Sequence, residues 1–246
     1  MAIAFDAAVT DTGGASPRTI AVTVAATSPI LFVSFGNNST SDTATGVTFN
    51  GAAMTQVAKK QAGATSPVWS YLYAIVGQSG THNVVITLSS GSIYRATCSS
   101  YTGVNQSITW TGTPTDNTAT ANSNNTSSTI NSSVTTIADN SWVFTCCWGD
   151  NGTVNTTTTN ITIRGTAQVV TQAGDSNAAV TPAGAYSQTW NAGGNEIWAM
   201  IQATFSPAVA AGPANVKTWD GITQSTGVKT YGALALASTK TWDGVA

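Results

Sequence analysis

Residues 195–205 read NEIWAMIQATF, and apolar side chains occupy both alternating sets of that run. In an extended strand successive side chains point to opposite sides. Ile197, Ala199, Ile201, Ala203 and Phe205 therefore share one face, read as core. Trp198 and Met200 fall on the other, beside Glu196 and Gln202. A Trp and a Met there predict that the second face is also covered, by a loop or by a neighbouring chain. PVWSYLYAIV (67–76) repeats the pattern, with Trp69, Tyr71, Tyr73 and Ile75 opposite Val68, Leu72, Ala74 and Val76.

Outward from these runs, helical periodicity is almost absent. RTIAVTVA, PILFVSFG, THNVVITLS, SIYRATCSSYTGV and SWVFTCCWG are short β-branched and aromatic segments separated by Gly, Asn, Ser and Pro clusters. That alternation is an all-β signature. Asn50-Gly51 within FNGAA predicts a tight hairpin, since both residues tolerate positive φ. The expected fold is a two-sheet antiparallel β-sandwich, jelly-roll-like, over residues 1–207. Thr111–Ser133, low in complexity and poor in apolar residues, is read as a long surface loop within that sandwich. An Ala/Pro/Gly linker is expected over 208–215 and a β-hairpin repeat tail over 216–246.

Apolar residues make up 41% of the 246 and charged residues only 7%, against about 25% in ordinary globular proteins. The net charge is −2, and Lys and Arg together number 8. So few scattered cations exclude a nucleic-acid surface. No run approaches the ~18 apolar residues of a membrane span, so no membrane insertion is expected. The opening MAIAFDAAVTDTGG lacks a basic segment ahead of an apolar run, so no secretory signal is expected either. An uncharged polar surface on a chain without an export signal fits a virion protein made and assembled in a host cytoplasm. An extracellular protein is the alternative.

VTFNGAAMTQVA, YLYAIVGQSGTHNVVITLSSG, SSYTGVNQSI and the closing WAMIQATFSP resemble, in order and spacing, a β-sandwich module of bacterial secreted proteins and phage structural proteins. The resemblance covers most of residues 1–207. It implies a sandwich architecture and a structural or adhesive role, and it brings no active-site residues.

Residues for chemistry are scarce. His82 is the only histidine and Glu196 the only glutamate. No Gly-x-Ser-x-Gly elbow accompanies the histidine, and glycosidase chemistry needs two facing carboxylates. Several aspartates sit in turn contexts such as DTGG and TWDG, where they serve backbone geometry. DNGTVN at Asp150 offers oxygen ligands without the spacing of a calcium loop. Adjacent Cys146 and Cys147 lack Cys-x-x-Cys spacing, and Cys98 is left to pair with either or to stay a small buried hydrophobe. The expectation is a protein without enzyme activity, cofactor or metal. Eight Trp and six Tyr leave glycan stacking open beside core packing.

The tail repeats itself: VKTWDG from Val216, VKTYGA from Val228 and TKTWDG from Thr239 place Trp219, Tyr231 and Trp242 in register. Asp-Gly favours a type I′ turn and Gly in first position a type II′ turn. Each repeat then reads as a small hairpin in which Trp219 faces Ile222, Tyr231 faces Leu234 and Trp242 faces Val245. Isolated hairpins of this size are marginal, whereas stacked neighbours stabilise one another. These six residues are the candidate oligomerisation or docking site. The functional expectation is a structural protein of a phage virion, such as a head decoration protein, head fibre or tail fibre subunit. It would be a homo-oligomer, with a trimer as the expected closed form, bound to other virion proteins. The alternatives are a secreted carbohydrate-binding or adhesive module, recognising surface glycans, and a subunit of a cell-surface filament.

Overall fold

The computed structural model describes residues 1–63, 67–93, 95–112, 114–149, 154–165 and 171–209. Strands β1 (Ala4–Asp11), β2 (Gly14–Ala15), β3 (Arg18–Val24), β4 (Ile30–Asn38), β5 (Ala44–Phe49) and β6 (Ala52–Ala53) come first. β7 (Thr55–Ala62), β8 (Val68–Val76), β9 (Gly80–Leu88), β10 (Ser92–Ile93) and β11 (Arg95–Thr102) follow. The last are β12 (Thr118–Thr135), β13 (Trp142–Gly149), β14 (Val154–Thr159), β15 (Thr162–Arg164), β16 (Thr171–Asp175) and β17 (Ala185–Phe205). The described residues contain no helix.

The all-β antiparallel architecture is as expected, with one layer more than a two-sheet sandwich. Sheet I runs β3-β9-β5-β6, sheet II runs β1-β11-β4-β8-β7, and sheet III runs β12-β17-β13-β16-β15 with β14 also paired to β17. Residues 1–209 form one compact unit. Asn50 (φ 51°) and Gly51 (φ 76°) make the expected tight turn, between β5 and β6.

Sheet II lies between the other two, so its central strand β4 is buried on both sides. Leu31, Val33 and Phe35 pack with Ile20, Val22, Val47, Val84 and Ile86 of sheet I. Ile30 and Phe32 pack with Phe144, Cys146, Ile201 and Phe205 of sheet III. Phe32 stacks on Phe144 at 4.6 Å between centroids and meets Phe205 edge-on at 5.3 Å. Each such fully buried side chain stabilises the fold by roughly 1.5–3 kcal/mol.

Sheet III folds back on itself, and this resolves the two-sided apolarity of residues 195–205. Ile201, Ala203 and Phe205 face sheet II as the core reading expects. Trp198 and Met200 face inward, against Ile130, Trp190 and Ala192 from the far halves of β12 and β17. The second face is covered by the chain's own folded-back strands, neither by a loop nor by a neighbour. AYSQTWNA and NEIWAMIQATF thus belong to one strand, β17, with Gly193-Gly194 between them. In the β12–β17 ladder Ser127 opposes Glu196 while Thr129 opposes Asn191. The extra residues between Asn191 and Glu196 on β17 form the bend, where glycine adds no side chain to crowd it.

The run read as a surface loop is the second difference. Thr118–Thr135 is a continuous strand. Thr, Ser and Asn satisfy a strand whose inward positions alone must be apolar or small: Ala119, Ala121 and Ser123, then Ile130 and Val134 after the bulge. Thr favours extended backbone through its branched Cβ. β1 is hard to read from the sequence, because an edge strand with only Phe5 and Val9 among Ala, Asp and Thr carries little hydrophobic pattern.

Gly36 on β4 shows how tightly the layers meet. A Cβ there would lie 2.2 Å from Cδ2 of Trp148, whose ring covers the glycine. Trp148 also donates its indole N–H to Asn38 Oδ1 at 3.0 Å. Gly36→Ala should destabilise by about 1–3 kcal/mol through overpacking. Gly46→Ala, where a Cβ meets nothing within 4 Å, should shift stability by less than about 0.5 kcal/mol. Urea unfolding of the two variants checks this, and equal midpoints would refute the tight contact.

Candidate functional site

The residues that sequence reading singles out for chemistry occupy structural posts. His82 meets the Phe49 ring edge-on at 5.6 Å. Glu196 sits at the β17 bend, opposite Ser127. Cys98, Cys146 and Cys147 are free and buried. Cys98 belongs to the core between sheets I and II, Cys146 to that between sheets II and III, and Cys147 to the interior of sheet III. Burial pushes the thiols of Cys98 and Cys146 up to about 12 and that of Cys147 up as well, so they stay protonated and weakly nucleophilic.

The described aspartates are held the same way. Asp6 accepts from Ser100 Oγ and the Ala25 N–H, and Asp139 from the Ala183 N–H. Asp42 accepts from the Tyr71 hydroxyl and the Lys59 ammonium. At Asp11, desolvation pushes the carboxyl up, but bonds from Arg18 and the Gly13 N–H outweigh it and hold the pKa below its ordinary value. Asp175 is fully buried, where it takes the Tyr101 hydroxyl at 2.7 Å and both arms of Arg164 at 2.6 and 3.0 Å. Arg164 in turn lies 4.1 Å above the Phe5 ring. This cluster joins sheet III to sheet II. Among the described residues no group of three or more His, Cys, Asp or Glu is placed to hold a metal ion. The Asp150 loop lies outside them.

Most aromatic side chains of the described residues are likewise packed inside. Trp148, Trp190 and Trp198 are buried, and Trp69 stacks on Tyr71 at 5.9 Å. Trp110 and Trp142 each line a cleft while remaining almost covered.

Surface features are therefore the candidates. A cleft of about 610 Å³ is lined by Met1, Ile3, Asn140, Trp142, Pro207 and Ala208, among others. The N-terminal ammonium donates to Ala208 O at 3.0 Å, and Val104 bridges Pro207. The start of the chain and the point where it leaves residues 1–209 thus share this cleft. Met1 and Val209, at 60% and 87% exposure, are two of the large exposed hydrophobics of the described residues. No motif marks this cleft in the sequence, because it is assembled from residues 1–3, 140, 142, 179 and 207–208, far apart along the chain.

A second feature is the outward face of the folded-back half of sheet III. Ser133 opposes Ser187, Asn131 opposes Thr189, and Thr129 opposes Asn191. The face carries hydroxyls and amides and no charge. The six predicted site residues, Trp219, Ile222, Tyr231, Leu234, Trp242 and Val245, all lie outside the described residues. Compared with family models, curated proteins and solved structures, the chain matches none.

Asp116 gives a pH test of how the site-bearing layer is held. It is fully buried beside the end of β17 and accepts from Thr204 Oγ1 at 2.8 Å and Ser206 Oγ at 2.9 Å. Desolvation raises its pKa above 3.8, only partly offset by the two hydroxyls. A raised carboxyl contributes stability that is fully present below its unfolded pKa and is lost as pH rises through the folded one. The stability of the parent relative to Asp116→Asn should therefore increase as pH falls from neutrality and level off below 3.8. A difference that stays flat over this range, in paired urea titrations, would contradict the assignment.

Proposed function

We propose that this protein is a non-enzymatic structural subunit of a phage virion, a head decoration protein or a head or tail fibre subunit. It assembles with copies of itself through its C-terminal repeats and sits against other virion proteins. The observation that carries the reading is the in-register repetition of Trp219, Tyr231 and Trp242 directly after a β-unit that ends at Val209. Read as hairpins, the three repeats are too small to bury their own rings and call for partner strands. The apolar second faces of the central strands are used up within one chain, so they lend no support to assembly; the repeats do.

Two further observations fit. The buried thiols and Asp116 and Asp175 of the described residues are engaged in packing and hydrogen bonds, and only 7% of the chain is charged. The resemblance to phage and secreted β-sandwich modules points the same way. The second reading, a secreted carbohydrate-binding or adhesive module, is favoured by the hydroxyl- and amide-lined face of sheet III.

Replacing Trp219, Tyr231 and Trp242 together by Ala in the full chain should leave the β-unit folded and reduce the assembled mass. Each ring contributes roughly 1.5–3 kcal/mol of burial when paired, and the loss recurs at every subunit. Native mass spectrometry reads the outcome. An unchanged oligomer would remove the repeats from the assembly, and glycan-array binding by the triple variant would favour the second reading.

A further inference from the structure

β12 is an edge strand of unusual character. Among the described residues its one paired strand is β17. Natural edge strands are blunted by lysine, proline, inward charge or shortness, since an open row of N–H and C=O groups recruits any other extended chain. β12 spans Thr118–Thr135 without a single charged residue or proline. Its one protective device is the bulge between Asn124 and Thr129.

The bulge divides the strand into two unequal opportunities. The first half is occupied near its end, where the Gly63 N–H donates to Asn124 Oδ1 at 2.8 Å beside the end of β7. The second half, Thr129–Thr135, is regular in its pairing to β17 and about 24 Å long at ~3.4 Å per residue. Asn117 Nδ2 caps it at one end by donating to Thr135 O at 2.6 Å. At the other end the Thr129 N–H donates to Ser127 Oγ at 3.0 Å. Between these caps Asn131 and Ser133 are exposed.

We propose that the Thr129–Thr135 half of β12 pairs antiparallel, edge to edge, with the same segment of a second copy, joining two outer half-sheets into one. The occupant is a second copy because of charge. In a two-fold pairing the strand meets itself, so any ionised residue would lie near its own like-charged copy. A strand carrying only Thr, Ser, Asn, Ile and Val meets its copy without repulsion. Its Asn, Ser and Thr side chains hydrogen-bond across such a pair. Backbone pairing of this kind is the strand-addition mode of recognition. This interface is separate from the repeats, and it requires an even number of subunits in the full assembly.

The test uses the full chain in low salt, with mass read by sedimentation and native mass spectrometry. Asn131→Lys with Ser133→Lys, both exposed positions, should halve the parent's assembled mass while leaving the melting profile of the β-unit in place. Asn131→Asp with Ser133→Asp should do the same. An equimolar mixture of the two variants should restore the parental mass, because opposite charges now meet across the pair. Should the double lysine variant fold poorly, Asn131→Lys alone makes the same test. The Trp219, Tyr231 and Trp242 triple-alanine chain, with β12 intact, should still form at least a dimer, which separates this interface from the repeats. A parent with an odd subunit number, a lysine variant of parental mass, or a mixture that fails to recover would each overturn the proposal.

Discussion

The central strands of sheet II, β11, β4 and β8, are covered on both faces, and most of the structure follows from that. A strand covered on both sides cannot alternate polar and apolar residues, so β4 reads as the nearly unbroken run Ile30–Phe35. Its neighbours must fit from two directions at once. Odd-numbered side chains of β4 meet sheet I and even-numbered ones meet sheet III. Where the second layer comes closest, at Trp148, the strand has a glycine. Polar groups caught between the layers are then obliged to find partners. Tyr101, Asp175 and Arg164 do so in a single connected cluster, whose loss of any one member would strand a buried polar group.

Sheet III solves a different problem. With one face on sheet II, its other face still carries Cys147, Trp198 and Met200. The β12–β17 ribbon doubles over at its bulge and brings Ile130, Trp190 and Ala192 onto them. The interior so formed is partly polar. Gln202 donates to Gln188 at 2.8 Å and Trp190 donates to Thr145 at 3.1 Å, bonds that tie one half of the folded sheet to the other. Directional bonds fix the register of two halves that hydrophobic contact alone would leave free to slide.

The same arrangement governs what is left for function. Among the described residues Asp116 and Asp175, the three thiols and most tryptophans are drawn into the layers, and the exposed positions of the outer strands β12 and β17 are rich in Ser, Thr and Asn.

By itself the sequence determined the all-β class, the Asn50-Gly51 hairpin, the inward set Ile197–Phe205 on alternate positions, and the need to cover Trp198 and Met200. These are properties of local periodicity and turn chemistry, which a single strand carries within it. Tertiary structure alone decided what does the covering. In sheet III the covering comes from β17 itself, which bends at Gly193-Gly194, and nothing in the period of a strand says whether its second face meets a neighbour or its own continuation. The same holds for β12, whose Thr, Ser and Asn become a strand only because β17 lies alongside to pair with them. The cleft at Met1, Trp142 and Pro207 was illegible for a related reason. Its walls come from the two ends of the described unit, brought together by the Val104–Pro207 bridge and the pairing of β13 with β17.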